Sequence, residues 1–238
     1  MKELSEYKNW LKKIVEKNLE DEQLKFVWSI MKSPFVEYHY ELLKDKSLDK
    51  DFRRSLSGRF NEHGEEAEDL LISKLNNNED ADFQADIIFL LGELNKKHKS
   101  KILDYARKFS ESENDYKRDR AIIVLGWIGT IDDTEIFKKH LLNDTNSNCR
   151  AWSASSYMQM WFKNENNNIK LKAFDAYLKA LNSESDYFVV ATILSAIRVM
   201  GKTKLSISQT ALDDLDTEKI DLAKPKVIRF LEKALKNS

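Results

Sequence analysis

Turn-forming residues are scarce in this chain: its 238 residues include only 6 glycines and 2 prolines, Pro34 and Pro225. Average usage would give about 15 glycines and 10 or more prolines. A sheet protein with many hairpins draws on both at its turns, so the shortage disfavours that class and favours helices joined by short polar connections. Cysteine is nearly absent as well. The lone Cys149 excludes an intramolecular disulfide and any thiolate metal cluster within one chain, and it suits a reducing compartment. Nor does one sign of charge dominate: 39 Lys and Arg against 40 Asp and Glu leave a net charge of −1. That is far from the positive balance that binding to a phosphate backbone needs, so nucleic acid is a poor default partner. No apolar run approaches the ~18 residues of a membrane span. The longest, Ala121 to Ile128, is interrupted by Gly126, and the opening MKELSEYKNWLKKIVEKNLE lacks the unbroken apolar core of a signal peptide. No membrane partner and a cytoplasmic location are expected.

What is present is an apolar fraction of 42%, enough for a sizeable core, and an internal repeat. FQADIIFLLGEL (83–94) aligns with KRDRAIIVLGWI (117–128), with Gly92 on Gly126 at an offset of 34. NCRAWSASSYMQ (148–159) follows with Arg150-Ala151 on Arg120-Ala121 at an offset of 30, and YFVVATILSAIRVMG (187–201) comes at a looser spacing. Each apolar segment is preceded by a more amphipathic one: EEAEDLLISKLN, SKILDYARKFS, DTEIFKKHLLND and IKLKAFDAYLKALN. In the last, Ile169, Leu171, Phe174, Tyr177, Leu178 and Leu181 recur at three- and four-residue steps, which puts them on one helical face.

The pattern predicts paired antiparallel helices. The polar runs NNNED, ESEND, NDTNSN and NSESD between them are expected to cap the helices that follow. The runs are too short for domain linkers, so the expectation is one domain over 1–238: atypical capping helices over 1–62, repeats over 63–201 and a C-terminal cap over 202–238. Glu3–Met31, Phe35–Lys44 and Asp51–Phe60 look helical, with Ser33-Pro34 ending the first of them. Ala223–Lys236 reads as the last helix, Lys202–Glu218 as a possible loop, and Gly129 as a helix C-cap whose missing Cβ permits positive φ.

An Asp, then Arg-Ala six residues on, then an apolar-Gly pair resembles the pattern of HEAT repeats. Asp144 with Arg150 fits this spacing, Asn114 with Arg120 fits with Asn for Asp, and Asp80 with Asp86 puts an acid where Arg is usual. The resemblance covers about Glu65 to Gly201 and implies an all-α fold, a right-handed α-α superhelix of about five to seven antiparallel helix pairs. It also implies an Asp–Arg ladder between neighbouring units and a concave wall made by the second helices. The helix-A proline common in such units is absent. A tetratricopeptide array has a similar period, but its Trp, Gly-Tyr and Pro positions do not recur here.

Catalytic constellations are not evident. His39, His63, His98 and His140 are apart in sequence and outside any HExxH setting, so neither a metal nor a cofactor is expected. No phosphate-binding glycine loop is present. Ser153, Ser155 and Ser156 have no His partner in sequence, and small residues there suit close helix packing. Cys149 sits at a helix start, where the dipole could lower a thiol pKa.

The alignment instead puts Asp86, Arg120 and Arg150 in one column and Glu93, Trp127 and Tyr157 in another, seven residues later and hence on the same face. Trp152, Trp161 and Arg198 extend this candidate partner-binding set, which is rich in the residue types of interface hot spots. The competing reading makes the tryptophans core and the arginines members of the ladder. A non-enzymatic protein-binding module is expected, and the resemblance to HEAT-like proteins implies a bacterial immunity protein that neutralises a toxin as its most specific form. Two HEAT-like alternatives are an alkylpurine DNA glycosylase, with Trp127, Asp86 and Glu93 beside the damaged base, and a bilin lyase. The neutral charge opposes the first, and a single Cys with scattered Trp does nothing to establish the second.

Overall fold

The computed structural model describes residues 3–75, 80–163 and 165–237. They contain fourteen α-helices and no strand, packed in successive pairs as the all-α solenoid reading expects. The chain forms two compact units, Met1–Ile102 and Leu103–Ser238, a division that the repeat pattern does not announce.

The first unit holds α1 (Leu4–Lys17), α2 (Glu20–Ile30), α3 (Val36–Lys44), α4 (Lys50–Phe60), α5 (Glu65–Lys74) and α6 (Ala81–Leu94), and it ends within α7 (Lys99–Phe109). Glu3–Met31, expected as one helical stretch, is two helices. Asn18 turns left-handed at φ 47° between them, a conformation that Asn tolerates better than most residues. The chain then folds back so that Tyr7, Trp10, Phe26, Phe35 and Phe52 meet edge to face, with centroids 5.3 to 6.0 Å apart in the contacts that link them. α2 closes before Ser33-Pro34 as expected. Glu68 is fully buried on α5, and its carboxylate accepts the N–H groups of Lys96, Lys97 and His98 at 2.9, 3.0 and 2.6 Å just ahead of α7. A buried acidic side chain thus sits at a helix N-terminus, where it satisfies orphan backbone donors.

The second unit holds the end of α7, then α8 (Asp115–Ile128), α9 (Thr134–Asn143), α10 (Ser147–Phe162), α11 (Asn167–Ser183), α12 (Tyr187–Met200), α13 (Gln209–Asp213) and α14 (Thr217–Lys236). α10 is its centre, packed against α8, α9, α11 and α12. Ser153 and Ser156 are buried there, and a Cβ on Gly126 would lie 2.8 Å from the Ser156 Cβ, so small residues do bring α8 and α10 together. Tyr157 donates to the Thr134 carbonyl at 2.8 Å and Tyr177 to the Ala154 carbonyl at 2.7 Å, both buried hydrogen bonds of the same 23-residue reach.

Three expectations need correction. Gly129 is extended, at φ −68° and ψ 179°; glycine is needed there because a Cβ would stand 2.4 Å from the Leu125 carbonyl oxygen. The last helix starts at Thr217, where the Asp216 side chain caps the Lys219 N–H, and it continues through Pro225. Pro225 is exposed, where the missing N–H is tolerated best. Within Lys202–Glu218 lies the short α13, capped by Ser208. The polar runs at 114, 146 and 186 cap α8, α10 and α12 as expected, whereas most of NNNED lies outside the described residues.

Candidate functional site

The caps supply a register for the second helices. Asp80, Asn114, Asn146 and Asp186 each accept from a backbone N–H in the first turn of α6, α8, α10 and α12. Their spacings are 34, 32 and 40 residues (114 − 80, 146 − 114, 186 − 146). Measured from these caps, Arg150 corresponds to Arg118 and not to Arg120.

The ion pairs say the same. Arg118 grips Asp144 with two hydrogen bonds of 3.0 and 2.7 Å, and Arg150 grips Glu184 with two of 2.6 and 3.2 Å. Each arginine also donates to the backbone carbonyls five and six residues before it: Glu113 and Ser112 for Arg118, Thr145 and Asp144 for Arg150. The acids hold the loop ahead of the next second helix, Asp144 accepting from the Asn146 N–H and Glu184 from that of Asp186. Burial alone would raise the Asp144 carboxyl, but hydrogen bonds from Arg118, the Asn146 N–H and His140 hold it down at about 2. A ladder between repeats therefore exists, with each arginine reaching forward one repeat; Asp144–Arg150 and Asn114–Arg120 are not its rungs. The Asn114 side chain caps the Lys117 N–H instead.

Eleven residues after the caps stand Leu91, Leu125, Tyr157 and Ile197, all 0 to 1% exposed. Tyr157 is thus a core residue, and burial pushes its phenol well above the ordinary tyrosine range, so it is a neutral donor at neutral pH. Trp161 is also core, at 3% exposure. The two positions expected on the face fall instead six and thirteen residues after the caps. They hold Asp86 and Glu93 on α6, Arg120 and Trp127 on α8, Trp152 and Gln159 on α10, and Thr192 and Val199 on α12.

In the first unit this face is acidic. Asp82 and Glu93 are exposed, Asp86 is half-buried, and Glu93 accepts from Asn61 at 2.7 Å. In the second unit Arg120, Trp127 and Trp152 are half-buried, and the Arg120 guanidinium lies over the Tyr116 ring at 4.8 Å. Beside Arg120, Asp119 is 9% exposed, and burial pushes its carboxyl up to about 6. Further along, α10, α12 and α13 enclose an open groove of about 460 Å³ whose walls include Ser155, Phe188, Thr192, Leu212, Asp213 and Leu215. Arg198 stands next to it, donating to Gln209 at 3.0 Å.

Two other expectations change in the folded chain. His39 and His63, apart in sequence, are 2.9 Å apart in the first unit, a contact that no local motif announces. The Leu56 carbonyl accepts from His39 Nε2, which leaves Nδ1 to accept from His63 Nε2. Desolvation first, and the facing ring second, lower His39 to about 3. Cys149 is fully buried and burial raises its thiol to about 12, opposite to the activation that a helix start can give. Among the described residues no group of three or more His, Cys, Asp or Glu stands where it could hold a metal ion, and no helix is long and apolar enough to cross a membrane.

Residues 68–158 match the family of HEAT repeats. Together with the paired all-helical architecture, this supports a HEAT-repeat protein, a helical scaffold of the kind often used for protein interaction. No curated protein and no solved structure matches the chain.

Proposed function

We propose that this chain is a non-catalytic protein-binding module and that its second-helix face is the recognition surface. One observation carries the reading: α8 and α10, which pack together, present Arg120 and Trp152 half-buried at the same repeat position and Trp127 half-buried two turns after Arg120. Trp and Arg dominate measured interface hot spots, and a side chain already partly desolvated loses less hydration when a partner covers it. In its most specific form the module is a bacterial immunity protein that captures a toxin; this finer reading is carried over from the HEAT resemblance and acts through the same residues.

The test is co-expression with a toxin encoded by the adjacent gene, followed by gel filtration. A stable complex is expected, weakened by about 2 kcal/mol or more by Arg120→Glu and by Trp152→Ala. Arg150→Glu would instead damage folding, because it breaks the rung to Glu184. A complex that survives both face substitutions would refute the assignment of this surface.

A further inference from the structure

The groove in the second unit differs in chemistry from the Arg120–Trp152 surface. Its walls combine apolar side chains with hydroxyls and one carboxylate, Asp213, and no lysine or arginine lines it. Phe188 and Leu215 are each 38% exposed at its mouth, large apolar groups that folding has left in water. Leu215 is held at φ 51°, and Lys202, Leu205 and Ser206 in the preceding connection also have positive φ. Such conformations cost a non-glycine residue about 1 to 2 kcal/mol each, so the wall that presents Leu215 is maintained against local strain.

We propose that this groove receives a cationic side chain, arginine or lysine, presented by the protein that the module binds; the assignment rests on the protein-binding reading above. Charge decides the class of occupant. Asp213 accepts one hydrogen bond, from the Gln209 amide at 2.8 Å, and among the described residues no lysine or arginine forms an ion pair with it. The Gln209 amide also accepts from Arg198, so it stands between Arg198 and Asp213 and leaves the carboxylate without a direct cation. A partner carboxylate placed here would meet Asp213, the one charged group in the walls, and be repelled. A purely apolar side chain would bury Asp213 without compensating its charge. A long aliphatic stem against Leu212 and Leu215, with a cationic head between the Phe188 ring and Asp213, satisfies every wall at once. Ser155, Thr192 and Ser195 supply oxygens for the remaining N–H donors.

The test is an NMR titration of the ¹⁵N-labelled full chain with N-acetyl-arginine methylamide and its lysine, leucine and glutamate counterparts. The arginine and lysine probes should give saturable shifts confined to residues 155, 188–195 and 209–215, weakened about tenfold in Asp213→Asn. The leucine and glutamate probes should give none there. Absence of saturable shifts with the cationic probes, equal binding of the glutamate probe, or full affinity in Asp213→Asn would each overturn the proposal. Asp213 is exposed and Asn is nearly isosteric, so the substitution is expected to fold; Phe188→Ala provides a second variant with the same expected loss. Partner capture that depends on Arg120 and Trp152 while the probes fail would sink the groove and leave the binding surface standing. Probe binding without that dependence would do the reverse.

Discussion

Arg118 and Arg120 are two residues apart on α8 and do different work, because two residues on a helix point about 200° apart. Arg118 faces the next repeat and neutralises Asp144, whose side chain is only 3% exposed. Arg120 lies on Tyr116, on the face proposed for recognition. Arg118→Ala would leave a buried carboxylate without its cation and is expected to cost about 3 kcal/mol in urea unfolding, whereas Arg120→Ala should cost under about 1 kcal/mol. Equal losses from the two would show that the ladder carries no special burden. The sequence identified the residue types of the ladder and one of its arginines, Arg150, but it paired Arg150 with Asp144 where the structure pairs it with Glu184, and it gave Arg120 the ladder position that Arg118 holds. Arg-Ala at 120–121 and 150–151 is a local likeness with no structural equivalence. The capping asparagines at 114 and 146 were the better anchor, since a cap fixes where a helix begins and therefore which way every later side chain points.

At the scale of elements, the glycines separate packing from propensity. Gly126 and Gly58 both lie inside helices, where glycine is intrinsically unfavourable by about 0.5 to 1 kcal/mol relative to alanine. A Cβ at Gly126 would meet Ser156 of α10 at 2.7 to 2.9 Å, backbone Cα included, while a Cβ at Gly58 would meet nothing within 4 Å. Gly126→Ala is therefore expected to destabilise by about 1 to 3 kcal/mol, since α8 and α10 must separate, and Gly58→Ala to stabilise by a few tenths to about 1 kcal/mol. Thermal unfolding of the two variants checks the pair, and a stable Gly126→Ala protein would mean the α8–α10 approach is not tight. The short polar connections and the amphipathic first helices were legible because helix period and capping are local. The break at Asn18 and the early start of α14 were not: one depends on α2 folding back onto α1, the other on Pro225 lying at the surface.

At the scale of the whole molecule, pH response sums groups whose environments tertiary packing created. His39 is lowered to about 3 from an unfolded value near 6.5, so the folded state disfavours its proton. Its contribution to stability is complete above about pH 6.5 and is lost as pH falls below that, by about 2 kcal/mol at pH 5. Burial lowers His63 as well, which adds in the same direction. Asp119 acts oppositely: its carboxyl is raised to about 6, so its ionised form costs stability near neutrality and protonation recovers it between about pH 6 and 4. Urea midpoints at pH 7.5, 6 and 5 should therefore show that His39→Phe loses less stability on acidification than the parent, even if it starts lower. Parallel profiles would refute a neutral buried His39.

From its own residues the sequence determined that this protein is helical, that its helices come in repeated pairs, and where most of those helices are capped. These follow from periodicity, from the dearth of glycine and proline, and from short polar runs, all of which act over a few residues. The tertiary structure alone decided which arginine builds the ladder, that Tyr157 and Trp161 are core, that His39 meets His63, and that a groove with an exposed phenylalanine and an uncompensated aspartate opens beside α13. Those outcomes depend on side chains 20 to 40 residues apart being brought within hydrogen-bonding distance, and a one- or two-residue error in helix register is enough to turn each of them to the wrong side.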